Sequence, residues 1–322
     1  MNQNVPVPKA FKPLVPGKFR DPDTTAKGER RASVALKRLE TLWFNTGTLC
    51  NIECKNCYIE SSPTNDRLVY LTATEVAAYL DEAERLNQRP KTVGFTGGEP
   101  FMNPDIAAIL QITLSRGYEA LVLTNAMKPM MRPRVQAALV DLNHRYHTKL
   151  VLRVSLDHWR KELHDEERGP GTFEETLSGL RWLRDQSVQT AIAGRLRWGD
   201  KDEDMRAGYT ALFAGENLAI DASDPAALVI FPEMDARVDV PEITVDCWRI
   251  LSKSPDNMMC AASRMIVKRR GAASPAVLAC TLLPYDKQFE LGPRLADALA
   301  PVKLNHPHCA KFCVLGGGSC KA

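Results

Sequence analysis

Cys50, Cys54 and Cys57 stand close together in Leu49-Cys50-Asn51-Ile52-Glu53-Cys54-Lys55-Asn56-Cys57-Tyr58. Three thiols on one loop, separated by three residues and then two, can converge on a single soft metal centre. Three thiolates leave the fourth iron of a cubane without a protein ligand. That iron is then open to a substrate or cofactor, as the open position of a catalytic zinc is. Single cysteines are usually small buried hydrophobes, which suits three among polar neighbours poorly. A zinc knuckle is the other metal alternative. It would show a fourth Cys or His nearby, and none follows before His144.

The loop leaves the apolar, β-prone run Thr41-Leu42-Trp43-Phe44-Asn45-Thr46, which predicts a strand. Thr72 with Glu75 three residues on is a capping box. It opens a helix to about Leu86 that buries Val76, Leu80, Ala83 and Leu86. Further strands are predicted over 92–96, 120–125, 149–157, 188–194 and 227–231. Helices are predicted near 105–115, 133–142 and 172–185, the last with a Thr start and Glu175 three on. Such alternation argues a parallel sheet with right-handed crossovers, as a barrel or a doubly wound sheet. These folds place function at the carboxyl ends of strands. The cysteine loop, Gly97-Gly98-Glu99-Pro100, Asn125, Asp157 and Arg195 all follow strands and are expected on one rim.

Cys-x3-Cys-x2-Cys after the first strand, with Gly97-Gly98-Glu99-Pro100 after the second, resembles the radical S-adenosylmethionine (radical SAM) superfamily over about residues 41 to 231. The resemblance implies a partial (β/α)6 TIM-like barrel, open on one side. It implies a [4Fe-4S] cluster on Cys50, Cys54 and Cys57, and a Gly-Gly-Glu-Pro turn at the amino group of SAM, with Glu99 on the ammonium. Asn56 stands where many members carry an aromatic residue, and the aromatic Tyr58 follows the third cysteine instead. Thr124-Asn125-Ala126 resembles the Thr-Asn-Gly turn of the family, with Ala126 in place of glycine and a different loop geometry expected.

Ser155 and Asp157, two apart at a strand end, point to one face. They can hold ribose hydroxyls, or cap the next segment. Arg195 can clamp the SAM carboxylate by a bidentate pair, with Arg197 as its rival. The run His158, His164-Asp165-x-x-Arg168-Gly169, then Gly171-Thr172-Phe173, resembles a stretch of the peptide-modifying and sulfatase-maturing branch. A surface loop and helix start is the alternative. His164, titrating near neutrality, is a candidate proton carrier.

Six of the nine cysteines lie late: Cys247, Cys260, Cys280, Cys309, Cys313 and Cys320. So many soft ligands point to metal, with a zinc site or scattered core thiols as alternatives. The tail resembles the SPASM or twitch extension, which carries auxiliary iron–sulfur clusters. Leu315 stands about where a third cysteine of the full pattern would fall, and the sequence ends two residues after Cys320. One auxiliary [4Fe-4S] cluster is therefore expected. Cys260, Cys280 and Cys320 are its leading ligands, Cys247 the fourth, Cys313 the rival and His308 a lesser one. The expected organisation is an arm over 1–40, a core over 41–235 and a cysteine-rich extension over 236–322.

Net charge of +3 is too small to argue for nucleic acid. No run is long and apolar enough for a membrane. The Pro-rich start has no signal-peptide core, so a reducing, cytoplasmic setting is expected. Residues 1 to about 30 read as an extended arm, lid or tail, and the basic run Lys27 to Arg38 as a solvated helix start.

The resemblance implies an enzyme. The cluster passes an electron to bound SAM, and the carbon–sulfur bond breaks. The products are methionine and a 5′-deoxyadenosyl radical, which takes a hydrogen from substrate. A flavodoxin- or ferredoxin-like protein would supply the electron. A peptide or protein substrate is favoured over a small metabolite. An iron–sulfur redox protein without SAM turnover is the alternative from another class, and it would not need Glu99 and its glycines.

Overall fold

The computed structural model describes residues 12–318, which leaves Cys320 outside the described residues. The elements in chain order are β1 (Ser33–Val34), β2 (Thr41–Asn45), α1 (Ala73–Arg85), β3 (Thr92–Thr96), α2 (Ile106–Ser115), β4 (Glu119–Thr124), α3 (Pro133–Tyr146), β5 (Leu150–Ser155) and α4 (Lys161–Arg168). Then come α5 (Thr172–Asp185), β6 (Gln189–Leu196), α6 (Asp202–Gly215), β7 (Leu228–Pro232), α7 (Cys247–Ile250), β8 (Ser263–Val267), β9 (Ala276–Leu278), β10 (Glu290–Gly292) and β11 (Val302–Lys303).

Strands β2 to β7 pair in sequence order, each parallel to the next. They form the six-stranded parallel sheet expected of a partial (β/α)6 barrel. β8 joins the other edge of β2 in parallel, and β9 and β10 continue antiparallel from it. The cysteine-rich region thus grafts its own strands onto the first barrel strand. Buried on both faces, β2 and β3 read as continuous apolar runs, as parallel interior strands do. The capping box of α1 is formed, with Glu75 N–H donating to Thr72 Oγ1 at 3.2 Å and Thr72 N–H to Glu75 Oε2 at 2.9 Å. Its Val76 and Leu80 pack with Phe44 and Phe95 in the main core. Each such side chain contributes about 1.5–3 kcal/mol on burial.

Four expectations are corrected. Residues 158–173 are not a surface loop: they contain α4, and His158 and His164 are fully buried. α5 has no Thr cap, because Gly171 occupies the N-cap in a left-handed conformation. Asp165 of α4 instead accepts from Gly171 and Phe173 N–H. The basic run is not a helix start either. Within it, Arg31 is buried and pairs with Glu242, and Ser33–Val34 form β1 against β11. Finally, the described part of the arm is not a free tail. It follows 237–242 through Leu14 N–H to the Arg237 carbonyl, Lys18 to Asp239 and Phe19 N–H to Glu242. No helix among the described residues is long and apolar enough to cross a membrane.

Candidate active site

The cysteine loop is positioned by backbone contacts with the turn after β3. Gly98 N–H donates to the Gly47 carbonyl at 2.8 Å and Glu99 N–H to the Leu49 carbonyl at 3.1 Å. Two glycines permit this approach. An added Cβ would lie 2.4 Å from the Gly47 carbonyl at Gly97 and 2.1 Å from the Leu49 carbonyl at Gly98. Gly97 also sits at φ +141°, where L side chains are strained. Farther along the loop, Cys50 N–H donates to Ser62 O and Lys55 N–H to Glu167 O.

One cleft at the carboxyl ends of the parallel strands is lined by Cys50, Cys54, Cys57, Gly97, Gly98, Asn125, Ser155, Asp157 and Arg195, all of them rim residues expected from the sequence. Tyr58, Ser61, Arg168, Phe231 and Met234 complete much of the wall. Among the described residues no three His, Cys, Asp or Glu side chains close on a single metal ion. Asn125 donates to Asn51 at 2.9 Å and sits 3.9 Å from Cys50 Sγ.

Several side chains are occupied differently from expectation. Glu99 is 1% exposed and stands behind the wall. Phe101 N–H and the Thr124 hydroxyl donate to its Oε1 at 3.1 and 2.9 Å, and Asn125 N–H donates to Oε2 at 2.9 Å. Burial pushes its pKa up to about 7 despite these donors. These bonds join the ends of β3 and β4, and Pro100 beside Glu99 is buried too. Asp157, expected on a ribose, has both oxygens taken by Arg168, at 2.9 Å each. Burial raises the Asp157 pKa, but Arg168 and Arg195 outweigh it and hold it below the usual value. Ser155 keeps its place on the wall. Ala126 adopts the left-handed conformation at φ +58°, so the turn keeps a glycine-like geometry without glycine. His164 does not line the cleft. Its ring packs on Phe173 at 5.6 Å, neither nitrogen has a hydrogen-bond partner, and burial pulls its pKa down to about 4. Burial thus favours the neutral imidazole.

Arg195 and Arg197 are placed differently. Arg195 lines the cleft, donates Nη1 to Glu167 at 3.0 Å, and leaves its buried Nε without an acceptor. Arg197 turns to Glu167 and Glu233. Sequence reading missed Glu167 and the cleft position of Arg168, because α4 is almost entirely charged and shows no apolar period.

Five late cysteines gather elsewhere. Cys260 and Cys309 are buried in a second apolar cluster, with Cys247, Cys280 and Cys313 packed against it. Tyr58, Phe231 and Met234 touch this cluster and the cleft alike. Fully buried Arg264 donates to the carbonyls of Cys260, Ser263, Ala298 and Ala300, and has no carboxylate partner among the described ion pairs.

Residues 44–205 match the radical SAM superfamily. The chain belongs to the radical SAM superfamily. Radical SAM proteins are enzymes that use a [4Fe-4S] cluster and SAM. Among curated proteins, this radical SAM chain is 30% identical over 146 residues to the antilisterial bacteriocin subtilosin biosynthesis protein AlbA of Bacillus subtilis (strain 168), covering 45% of this chain and 30% of AlbA. It is 31% identical over 141 residues to the AdoMet-dependent heme synthase of Methanosarcina barkeri (strain Fusaro / DSM 804), covering 42% of this chain and 36% of the synthase. The chain thus spans about a third of the length of these relatives. Among solved structures, Streptococcus suis SuiB bound to S-adenosylmethionine superposes with a TM-score of 0.57 at 12% identity, over 79% of this chain and 63% of SuiB. Native anSMEcpe with bound AdoMet gives 0.57 at 14%, over 82% and 83%. At these identities the likeness is one of fold.

The radical SAM cleft fits a cluster and SAM on its own features. Three cysteines and the Gly97–Gly98 backbone line it, and the Ser61 hydroxyl and Arg195 Nε are buried without partners. Burial pushes the Cys50 thiol up to about 12 and that of Cys54 to about 11. Both are therefore protonated near neutral pH in the metal-free chain and must release protons to ligate iron. Iron affinity is expected to rise with pH between 7 and 9, by roughly tenfold per unit for each proton released. Anaerobic iron titrations at several pH values check this, and a flat profile contradicts it.

Proposed function

We propose that this radical SAM enzyme modifies a peptide or protein in a reducing, cytoplasmic setting. Cys50, Cys54 and Cys57 would hold the [4Fe-4S] cluster. With SAM bound and one electron from a donor protein, the cluster would supply reductive cleavage of SAM to methionine and a 5′-deoxyadenosyl radical able to take a hydrogen atom from a substrate carbon. The chain's own part is to bind, orient and keep water out. Gly97 and Gly98 offer backbone to the methionine end of SAM, the Ser155 hydroxyl offers a bond to ribose, and the unpartnered Arg195 Nε offers one to the carboxylate. The observation that carries this assignment is the meeting of three cysteines, the Gly97–Gly98 turn and an arginine with an unpartnered Nε in one cleft. Arg195→Gln is expected to keep the iron and weaken SAM binding about tenfold or more, since a charge-assisted bond is worth roughly 1.5–3 kcal/mol. Titrating SAM into the reduced protein measures it, and unchanged affinity removes Arg195 from the site.

The late cysteines support one auxiliary cluster. Arg264 is a buried cation whose neighbouring ionisable group is the Cys260 thiol, and a metal-held thiolate there would supply its counter-charge. Support for a peptide comes from AlbA, a bacteriocin biosynthesis protein, and from two neighbours of similar fold. SuiB has been solved bound to the precursor peptide SuiA and anSMEcpe with the Kp18Cys peptide. The heme synthase relative supports a tetrapyrrole instead. Reduced enzyme with SAM and a short peptide encoded beside its gene is expected to change the peptide's mass. Conversion of an iron-porphyrin with the peptide unchanged would overturn the peptide reading. An electron donor of flavodoxin or ferredoxin type completes the proposal.

A further inference from the structure

Glu167, in the last turn of α4, is 1% exposed, yet it is an acid. Asn56 N–H donates to its Oε1 at 2.9 Å, and the Asn56 amide to its Oε2 at 2.8 Å. Arg195 Nη1 donates to Oε1 at 3.0 Å, and Arg197 Nε lies 3.4 Å from Oε2. Its backbone carbonyl accepts from Lys55 N–H at 2.9 Å. Lys55 and Asn56 are the two residues between Cys54 and Cys57. The whole stretch between the second and third thiols is therefore fastened to one residue of another element. A buried carboxylate is tolerated only when paired and hydrogen-bonded. Charge-assisted bonds of this kind are short and directional, so they fix geometry as well as contribute energy.

We infer that Glu167 is a positioning residue for the cluster loop. It sets where Cys54 and Cys57 present their sulfurs, and through the same carboxylate it aims Arg195 at the cleft. The inference rests on the reading of Cys50, Cys54 and Cys57 as cluster ligands. It adds a residue that touches neither the thiols nor the open side of the cleft, and that lies on a helix without an apolar signal. Asn56, at the place where many members of the family carry an aromatic residue, is held by hydrogen bonds to this carboxylate.

The full-length chain, reconstituted anaerobically with iron and sulfide, tests it in three forms: unchanged, Glu167→Ala and Glu167→Gln. Glutamine can accept from Asn56 N–H and, with the Asn56 amide reversed, donate to it, so it keeps both loop bonds. It offers no anion to the arginines. In Glu167→Ala, loss of iron to a chelator from the SAM-responsive cluster is expected to speed up about tenfold or more. The electron paramagnetic resonance spectrum of that cluster should shift as well. Glu167→Gln should restore both to near the unchanged protein. Unaltered iron retention and spectrum in Glu167→Ala would overturn the inference, and so would Glu167→Gln behaving like Ala. Should Glu167→Ala not fold, Asn56→Ala removes the same side-chain bond from its half-buried end. It must also hasten iron loss, and no change there overturns the inference. If the unchanged chain takes up no SAM-responsive cluster, the underlying reading itself fails.

Discussion

In the variant carrying Cys50→Ala, Cys54→Ala and Cys57→Ala together, iron counted per chain falls by about four atoms and 5′-deoxyadenosine formation drops to background. The loss should be specific because the two groups of cysteines lie apart. The three early thiols line the cleft, whereas Cys247, Cys260, Cys280, Cys309 and Cys313 belong to a different apolar cluster. The fold should survive, since backbone bonds hold the loop: Gly98 to Gly47, Cys50 to Ser62 and Lys55 to Glu167. Iron analysis and product assay on the same preparation decide it. Complete loss of iron from a folded chain contradicts independent sites, and surviving deoxyadenosine formation removes the three thiols from the chemistry.

Gly98→Ala is expected to damage both stability and site. The new methyl would stand 2.1 Å from the Leu49 carbonyl oxygen and 2.8 Å from that of Thr48, and both are backbone atoms with no rotamer to yield. Overpacking of this kind costs about 1–3 kcal/mol, occasionally more, or roughly 1–5 °C in Tm for a chain of 322 residues. The segment that must move carries Cys50, so iron retention should fall with Tm. Gly215→Ala, with nothing within 4 Å of its Cβ, is the comparison and should be neutral. A Gly98→Ala protein with unchanged Tm and iron would show that the turn and the cysteine loop are not in the described contact.

The barrel was legible because its strands are period-free apolar runs bounded by polar turns, and its first helix carries a formed capping box. The rim was legible because position after a parallel strand dictates which end a residue occupies. What a side chain does on that rim was not legible. Glu99 and Asp157 are acids at rim positions, and only the structure shows their oxygens engaged by Thr124, Asn125 and Arg168. α4 escaped notice since Lys161-Glu162-Leu163-His164-Asp165-Glu166-Glu167-Arg168 has one aliphatic residue and buries His164 and Glu167 instead. α6 carries a readable signal, with Met205, Tyr209 and Phe213 four apart and all buried, that went unused. β9, β10 and β11 are only two or three residues long, below the length at which periodicity speaks. The arm's course depends on partners more than two hundred residues away, such as Arg31 with Glu242, which local pattern cannot show.

The central claim is that this cleft binds a cluster and SAM together and cleaves SAM reductively. The most direct measurement is the yield of 5′-deoxyadenosine and methionine from anaerobically reconstituted, reduced full-length protein given SAM alone. The account predicts both products in equal amounts, dependent on reductant, from a brown protein. A folded, iron-loaded protein that forms neither, or a colourless protein loaded with zinc, would contradict it.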